Sequence, residues 1–379
     1  MTQAAASLGR EQARVMRTPK SVDIDITDRC NLRCRYCYFF SSSADVKDLP
    51  QEEWLKFFEE LNRCAVTAAC LAGGEPFIRD DLKDILAGIV RNRMRFSILS
   101  NGTLINDDIA AFIASTRRCD YVQVSIDGSI PITHDSFRGK GSFYKAVEGI
   151  RCLQRNKVAV AVRVTIHRQN VHDLENIAKL LLEDIGLPAF STNSAGYMGL
   201  CQKNTEQVQL STEDRHLAMT TLLKLIKKYG ERINAAAGPL AEARGWREME
   251  EARRRGLESL PGRGTLVGCG CTFDKIAVRA DGVIVPCNML SHIELGRINT
   301  DSLADIWQNH EALWKIRERR AIPLSRFDFC RGCDYIHYCT GNCPALAYSL
   351  LGEVDHPSPD ACLRKYLAEG GKLAEEAAD

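Results

Sequence analysis

The chain has 379 residues, 45% of them hydrophobic, which is enough for two or more domains with cores of their own. Its 50 Lys and Arg balance 49 Asp and Glu, for a formal charge of +1. That balance, with no basic run, argues against a protein built to grip a nucleic-acid backbone.

Residues 1–20 read as an N-terminal extension without the apolar core of a signal peptide. From 21 to 203 strand and helix alternate. Strands are expected at 21–27, 66–72, 95–100, 121–126, 158–166 and 187–193, each rich in Val, Ile, Phe or Tyr. Helices are expected to open at Pro50, Arg79, Asn106, Ser142 and Asn170. Strands separated by helices imply parallel pairing, and six such units form a partial (β/α)6 barrel. Its strand ends would carry the active site. Residues 204–265 read as a helical bridge, with an exposed, Arg- and Glu-rich helix over 239–259. From 266 to 379 the chain is punctuated by cysteines. There Ile276–Arg279 and Val283–Val285 form a hairpin, followed by a helix at about 301–317. No stretch is apolar for long enough to cross a bilayer, so a cytoplasmic protein with no membrane partner is expected.

Sixteen cysteines without a signal peptide favour metal ligation or thiol chemistry over disulfides. They cluster at 30, 34 and 37, at 269, 271 and 287, and at 330, 333, 339, 343 and 362, while 64, 70, 119, 152 and 201 are scattered. Cys30, Cys34 and Cys37 stand at C-x3-C-x2-C spacing on the loop leaving the first strand. Three thiolates can anchor a 4Fe-4S cube and leave its fourth iron open to a small molecule. The alternative is a structural zinc ion completed by a residue such as His134 or His167.

The segments around the triad decide between these. The triad, with Tyr36 and Tyr38 beside its last cysteine, resembles the signature of the radical S-adenosylmethionine (SAM) enzymes. Gly73, Gly74, Glu75 and Pro76 after the second strand match that family's glycine-rich motif, where glycines admit a ligand and Glu75 can accept from an ammonium. Asn101 in Ser100-Asn101-Gly102, and Ser125 and Asp127 in Ser125-Ile126-Asp127-Gly128, fit the pattern at the third and fourth strands. By this resemblance Ser125 and Asp127 would meet the ribose hydroxyls of SAM and Arg163 its carboxylate. Tyr36 would line the cofactor site. The resemblance implies that a reduced cluster cleaves SAM to methionine and a 5′-deoxyadenosyl radical, which abstracts hydrogen from an inert C–H bond. It also implies a flavodoxin or ferredoxin-like electron donor.

The C-terminal cysteines resemble the SPASM domain of radical SAM maturases. By that resemblance Cys271, Cys287 and Cys343, with Cys269 as fourth ligand, hold one auxiliary 4Fe-4S cluster. Cys330, Cys333, Cys339 and Cys362 hold a second. Two fully ligated clusters bind no SAM but suit electron acceptance from a substrate radical. The reaction expected is oxidation or crosslinking of a peptide or small protein, with a separate leader-binding protein as a further partner because no leader-binding domain precedes the first strand. The alternatives are oxidation of a tetrapyrrole, and peptide epimerisation with a cysteine hydrogen donor. Cys201, just past the sixth strand, is the candidate donor, and Asn193 and Tyr197 are candidate pocket residues. Asn288 follows Cys287 where sulfatase maturases carry a basic Asp, which disfavours that activity.

Overall fold

The computed structural model describes residues 15–40, 48–267 and 269–374. Most of the 1–20 extension therefore lies outside the described residues. One ten-stranded mixed sheet organises the rest. In chain order its first elements are β1 (Ser21–Thr27), α1 (Gln51–Arg63), β2 (Ala68–Gly73), α2 (Leu82–Arg91), β3 (Arg95–Ser100), α3 (Asp107–Thr116) and β4 (Cys119–Ser125). They continue with α4 (Pro131–Arg138), α5 (Ser142–Arg155), β5 (Val160–Ile166), α6 (Leu174–Lys179) and β6 (Phe190–Ser194). β1 to β6 pair in sequence order and all in parallel, as right-handed crossovers require.

Each strand alternates. Val22, Ile24 and Ile26 of β1, Val122 and Val124 of β4, and Val162, Val164 and Ile166 of β5 join the apolar core shared with the helices. The residues between them point to the other, inner face. That face carries Asp23, Asp25, Cys70, Ser97, Gln123, Ser125, Arg163, Ser191 and Asn193.

The bridge is packed more firmly than its composition suggests. α7 (Thr212–Tyr229) is opened by a capping box between Ser211 and Asp214, and β7 (Ile233–Ala235) adds to β6 in parallel. α8 (Pro239–Arg254) is not the exposed helix expected. Leu240, Ala243, Trp246, Met249 and Ala252 recur at every third position and are buried in the main core. The Arg and Glu residues between them conceal that stripe.

The C-terminal region returns to the same sheet. β8 (Lys275–Val278) and β9 (Val283–Val285) form the expected hairpin, and β10 (Gly296–Arg297) pairs with β9. β8 lies parallel to β1, in register from Ser21 opposite Lys275 to Ile24 opposite Val278. The strand order is therefore β10-β9-β8-β1-β2-β3-β4-β5-β6-β7. The helix expected at 301–317 is two, α9 (Leu303–Asn309) and α10 (Glu311–Glu318), separated by His310 in an extended conformation. Beyond α10 the chain makes short 3-10 turns before α11 (Pro344–Leu351) and α12 (Leu363–Ala368). Among the described residues no helix is long and apolar enough to cross a membrane.

Candidate functional site

The loop that leaves β1 is fastened before its first cysteine. Asp48 accepts from the Thr27 hydroxyl at 2.6 Å, the Asp28 amide at 2.9 Å and Arg29 Nε at 2.9 Å. The loop after β2 then lies against it. The Gly74 amide donates to Thr27 O and the Glu75 amide to Arg29 O, at 2.8 and 2.9 Å. A Cβ on Gly74 would stand 2.1 Å from Arg29 O, so only glycine permits this approach.

Glu75 is fully buried and spends its carboxylate on the protein. Oε1 accepts from Ser100 Oγ at 2.8 Å and the Phe77 amide at 3.2 Å, and Oε2 accepts from the Asn101 amide at 2.7 Å. Burial pushes its pKa up to about 7 against those hydrogen bonds. Asn101 in turn reaches the triad loop, donating to Asn31 Oδ1 at 2.9 Å and standing 3.9 Å from Cys30 Sγ. Glu75 thus clamps the β2 and β3 loops together behind Cys30. The sequence-based role for Glu75, accepting from a bound ammonium, competes with three donors already in place.

The rest of the triad loop rests on Asp127. That carboxylate is buried, accepts from the Tyr36 hydroxyl and from Arg138 Nε through Oδ2, and takes the Thr165 amide at 2.7 Å through Oδ1. Burial opposes its ionisation, but Arg138 beside it holds the carboxyl below the usual range. Tyr36 stacks near Phe137 and His167, and the Arg35 amide donates to Phe137 O at 2.9 Å. Asp127 and Tyr36, expected beside SAM, pin the loop from beneath, with both groups buried and hydrogen-bonded within the protein.

His134 and His167 lie behind this network. His134 Nδ1 accepts the Asp127 amide at 3.1 Å, His167 stacks on Phe137 with centroids 3.9 Å apart, and burial pushes both imidazoles down to about 4. Ser125 and Arg163 sit side by side on the inner face at the β4–β5 pairing, and Arg163 Nε is buried without a partner. Arg163 is thus the cation there with capacity left for an anion. Cys201 is not at an open mouth. It is 0% exposed in a small cluster with Tyr36, Phe137 and Val208. Cys70 faces inward from β2 beside Ser97.

Could these thiols hold iron–sulfur clusters? Among the described residues no three His, Cys, Asp or Glu side chains converge on a single metal ion. A cube asks for something else, since each thiolate binds a different iron at its own corner. Cys30, Cys34 and Cys37 are close enough that, after burial itself, Cys37 raises the pKa of Cys30 and both raise that of Cys34. Gly199, at φ +55°, closes over them, with the Leu200 amide donating to Cys37 O at 2.8 Å. Cys269 Sγ and Cys271 Sγ are 3.1 Å apart, Cys271 also contacts Cys287, and Cys343 lies near Cys269 and Cys287. Cys330, Cys333, Cys339 and Cys362 line one cavity with about 330 Å3 of unfilled space, partly continuous with solvent. Each cysteine set expected from the sequence is therefore brought together, and thiolates spread around a space are the donor arrangement a cube needs.

Two contributors left no signal in the sequence: Arg138 and Asp48 hold the site through contacts 11 and 21 residues distant, and neither stands in a recognisable spacing.

The Radical SAM superfamily profile matches residues 24–181, and that of the SPASM iron–sulfur cluster-binding domain matches 269–334. The Fe-coproporphyrin III synthase of Methanosarcina barkeri is 29% identical over 357 residues, 90% of this chain and 87% of that one. The pre-heme d1 synthase of Dinoroseobacter shibae is 30% identical over 353 residues, 89% of this chain and 84% of that one. Streptococcus suis SuiB bound to SAM superposes with a TM-score of 0.71 at 15% identity, covering 95% of this chain and 81% of that one.

Proposed function

Because the chain belongs to the radical SAM superfamily and carries a C-terminal SPASM iron–sulfur domain, we propose that this enzyme oxidises a peptide or small protein held against the inner face of its sheet. The observation that carries the substrate class is the lining. Ser97, Gln123, Ser125, Ser191 and Asn193 offer neutral donors and acceptors suited to backbone amides. When bound, the clusters and SAM supply a 5′-deoxyadenosyl radical and an acceptor for the electron that an oxidised substrate gives up.

In this reading Cys30, Cys34 and Cys37 hold the SAM-binding 4Fe-4S cluster. Gly73, Gly74 and Pro76 shape the backbone against which SAM rests, with Asn101, Ser125 and Arg163 at its polar groups. Cys269, Cys271, Cys287 and Cys343 form one auxiliary site, and Cys330, Cys333, Cys339 and Cys362 the other. The strands β1–β6 curve as a partial (β/α)6 barrel over 21–203, with the helical bridge at 204–265 and the SPASM region at 266–379. A flavodoxin or ferredoxin-like protein supplies electrons.

A second reading has a specific support. The two curated relatives match over most of their own length and act, by name, in tetrapyrrole chemistry. A carboxylated tetrapyrrole is therefore the competing substrate. Anaerobic, dithionite-reduced enzyme with SAM separates these readings. Synthetic peptides encoded by adjacent short reading frames should lose two hydrogens and release 5′-deoxyadenosine. Turnover of iron coproporphyrin III instead would establish the second reading. Absence of 5′-deoxyadenosine, or its persistence in Cys30→Ala, sinks both.

A further inference from the structure

Across the inner face runs a line of side chains that the motifs do not explain. Tyr38 directly follows Cys37, and Asp25 of β1 and Cys287 are among the groups whose charge acts on its hydroxyl. Asp25 is 4% exposed, and its Oδ1 accepts from Asn288 Nδ2 at 2.8 Å. Asn288 directly follows Cys287. A buried carboxyl therefore stands in contact with the residue that follows one of the C-terminal cysteines. Among the described residues nothing donates a hydrogen bond to its Oδ2.

We infer that Asp25 is the catalytic base that takes the proton leaving the oxidised substrate, with Asn288 as the residue that orients it. With SAM and the clusters bound, the substrate C–H hydrogen would leave as an atom, and the substrate would then lose one electron to an iron–sulfur acceptor and one proton to Asp25 Oδ2, the carbon gaining a second bond to its neighbour.

The surroundings suit the task. Asn288 donates to Oδ1 and leaves Oδ2 without a donor among the described residues. Burial, and secondarily Asp23 on the same strand, push the Asp25 carboxyl up to about 7 despite the Asn288 bond, which places it where a base both accepts and releases a proton. Lys275 of β8 does not neutralise it, because it is paired with Asp23 at 2.8 Å. Tyr38, Cys70 and Cys287 complete the titratable groups facing this spot. Position 288 is an amide that cannot accept a proton, which leaves Asp25 as the carboxyl in place.

This inference rests on the oxidative reading, but not on which substrate is correct. In Asp25→Asn, with whichever probe turns over above, product should fall at least about 100-fold while 5′-deoxyadenosine stays within about threefold. The swapped pair, Asp25→Asn with Asn288→Asp, returns a carboxylate to the same spot and should recover product about tenfold over the single variant. Product within about threefold of wild type in Asp25→Asn, or loss of 5′-deoxyadenosine together with product, overturns the role. A readout free of turnover is isotope-edited infrared spectroscopy of the full chain carrying 13C-carboxyl aspartate. A protonated-carboxyl band that disappears through neutral pH, and is missing from Asp25→Asn, is expected. No such band overturns the inference even if neither probe turns over.

Discussion

The two cysteine-bearing ends of the molecule are ordered by opposite means. Around Cys30, Cys34 and Cys37 the protein does the ordering. Three buried or half-buried carboxylates, Asp48, Glu75 and Asp127, collect backbone and side-chain donors from four strand ends and hold the loop in shape. Around Cys330, Cys333, Cys339 and Cys362 there is little of this. The chain there runs through short 3-10 turns at Leu324–Arg326, Asp328–Cys330 and Ile336–Tyr338, over a small apolar cluster of Leu266, Leu324 and Cys330. Its centre is a cavity bordered by thiols. In the first region the fold presents the cysteines. In the second the cysteines have to complete the fold, so metal binding there is folding energy.

Iron removal tests that contrast most severely. After chelation under reducing conditions, amide exchange over 324–362 should accelerate by at least about 100-fold, while β1–β6 stay protected. Equal loosening of both regions would abolish the distinction. Asp127→Asn attacks the other side. It leaves Arg138 buried and unpaired, and should cost about 3–5 kcal/mol in denaturant melts. The loss should appear first as exchange at Arg35–Tyr38.

Glu75 gives a pH signature of intermediate size. Its folded pKa of about 7 lies above the unfolded value near 4.5. Its contribution is therefore complete below about pH 4.5 and is lost as pH rises through about 7, amounting to up to about 3 kcal/mol. Glu75→Gln should flatten the stability curve in that window, and an unchanged slope would show that another group governs it. The smallest effect is expected where the two regions touch. Lys275 and Asp23 are 40% and 25% exposed, so Lys275→Ala should change stability by no more than about 1 kcal/mol. A larger loss would mean that this ion pair, and not the strand ladder, joins the two ends.

The parallel strands were legible because Val and Ile alternate with polar residues in β1, β4 and β5, and because helix-opening residues separate them. The cysteine sets were legible from spacing. What stayed hidden is non-local. Nothing in Lys275–Val278 says that it pairs with β1, because a short apolar strand fits many partners. The core stripe of α8 was masked by its charged neighbours. Resemblance singled out Tyr36 and Asp127 but not the hydrogen bond that joins them beneath the loop. A motif records which residues recur, whereas burial and hydrogen bonding decide whether they face ligand or support it. Cys201 makes the same point: sequence position near a strand end does not specify whether a thiol is buried.

The β1–β8 ladder has a consequence for how the chain tolerates change. The helices from 204 to 265 carry the chain from β6, by way of β7, to β8, which lies seven strands from β7 in the order. They behave as a long excursion whose two anchorages are fixed by strand pairing and not by its own length. Residues could be inserted at the exposed turn near Gly262 without altering how far Cys287 stands from Cys37. A one-residue slip of β8 along β1 would, in contrast, shift the C-terminal cysteines by roughly 3.3 Å and reverse the facing of Lys275. Registration, not connectivity, is therefore the gauge that spaces the two cysteine-bearing ends.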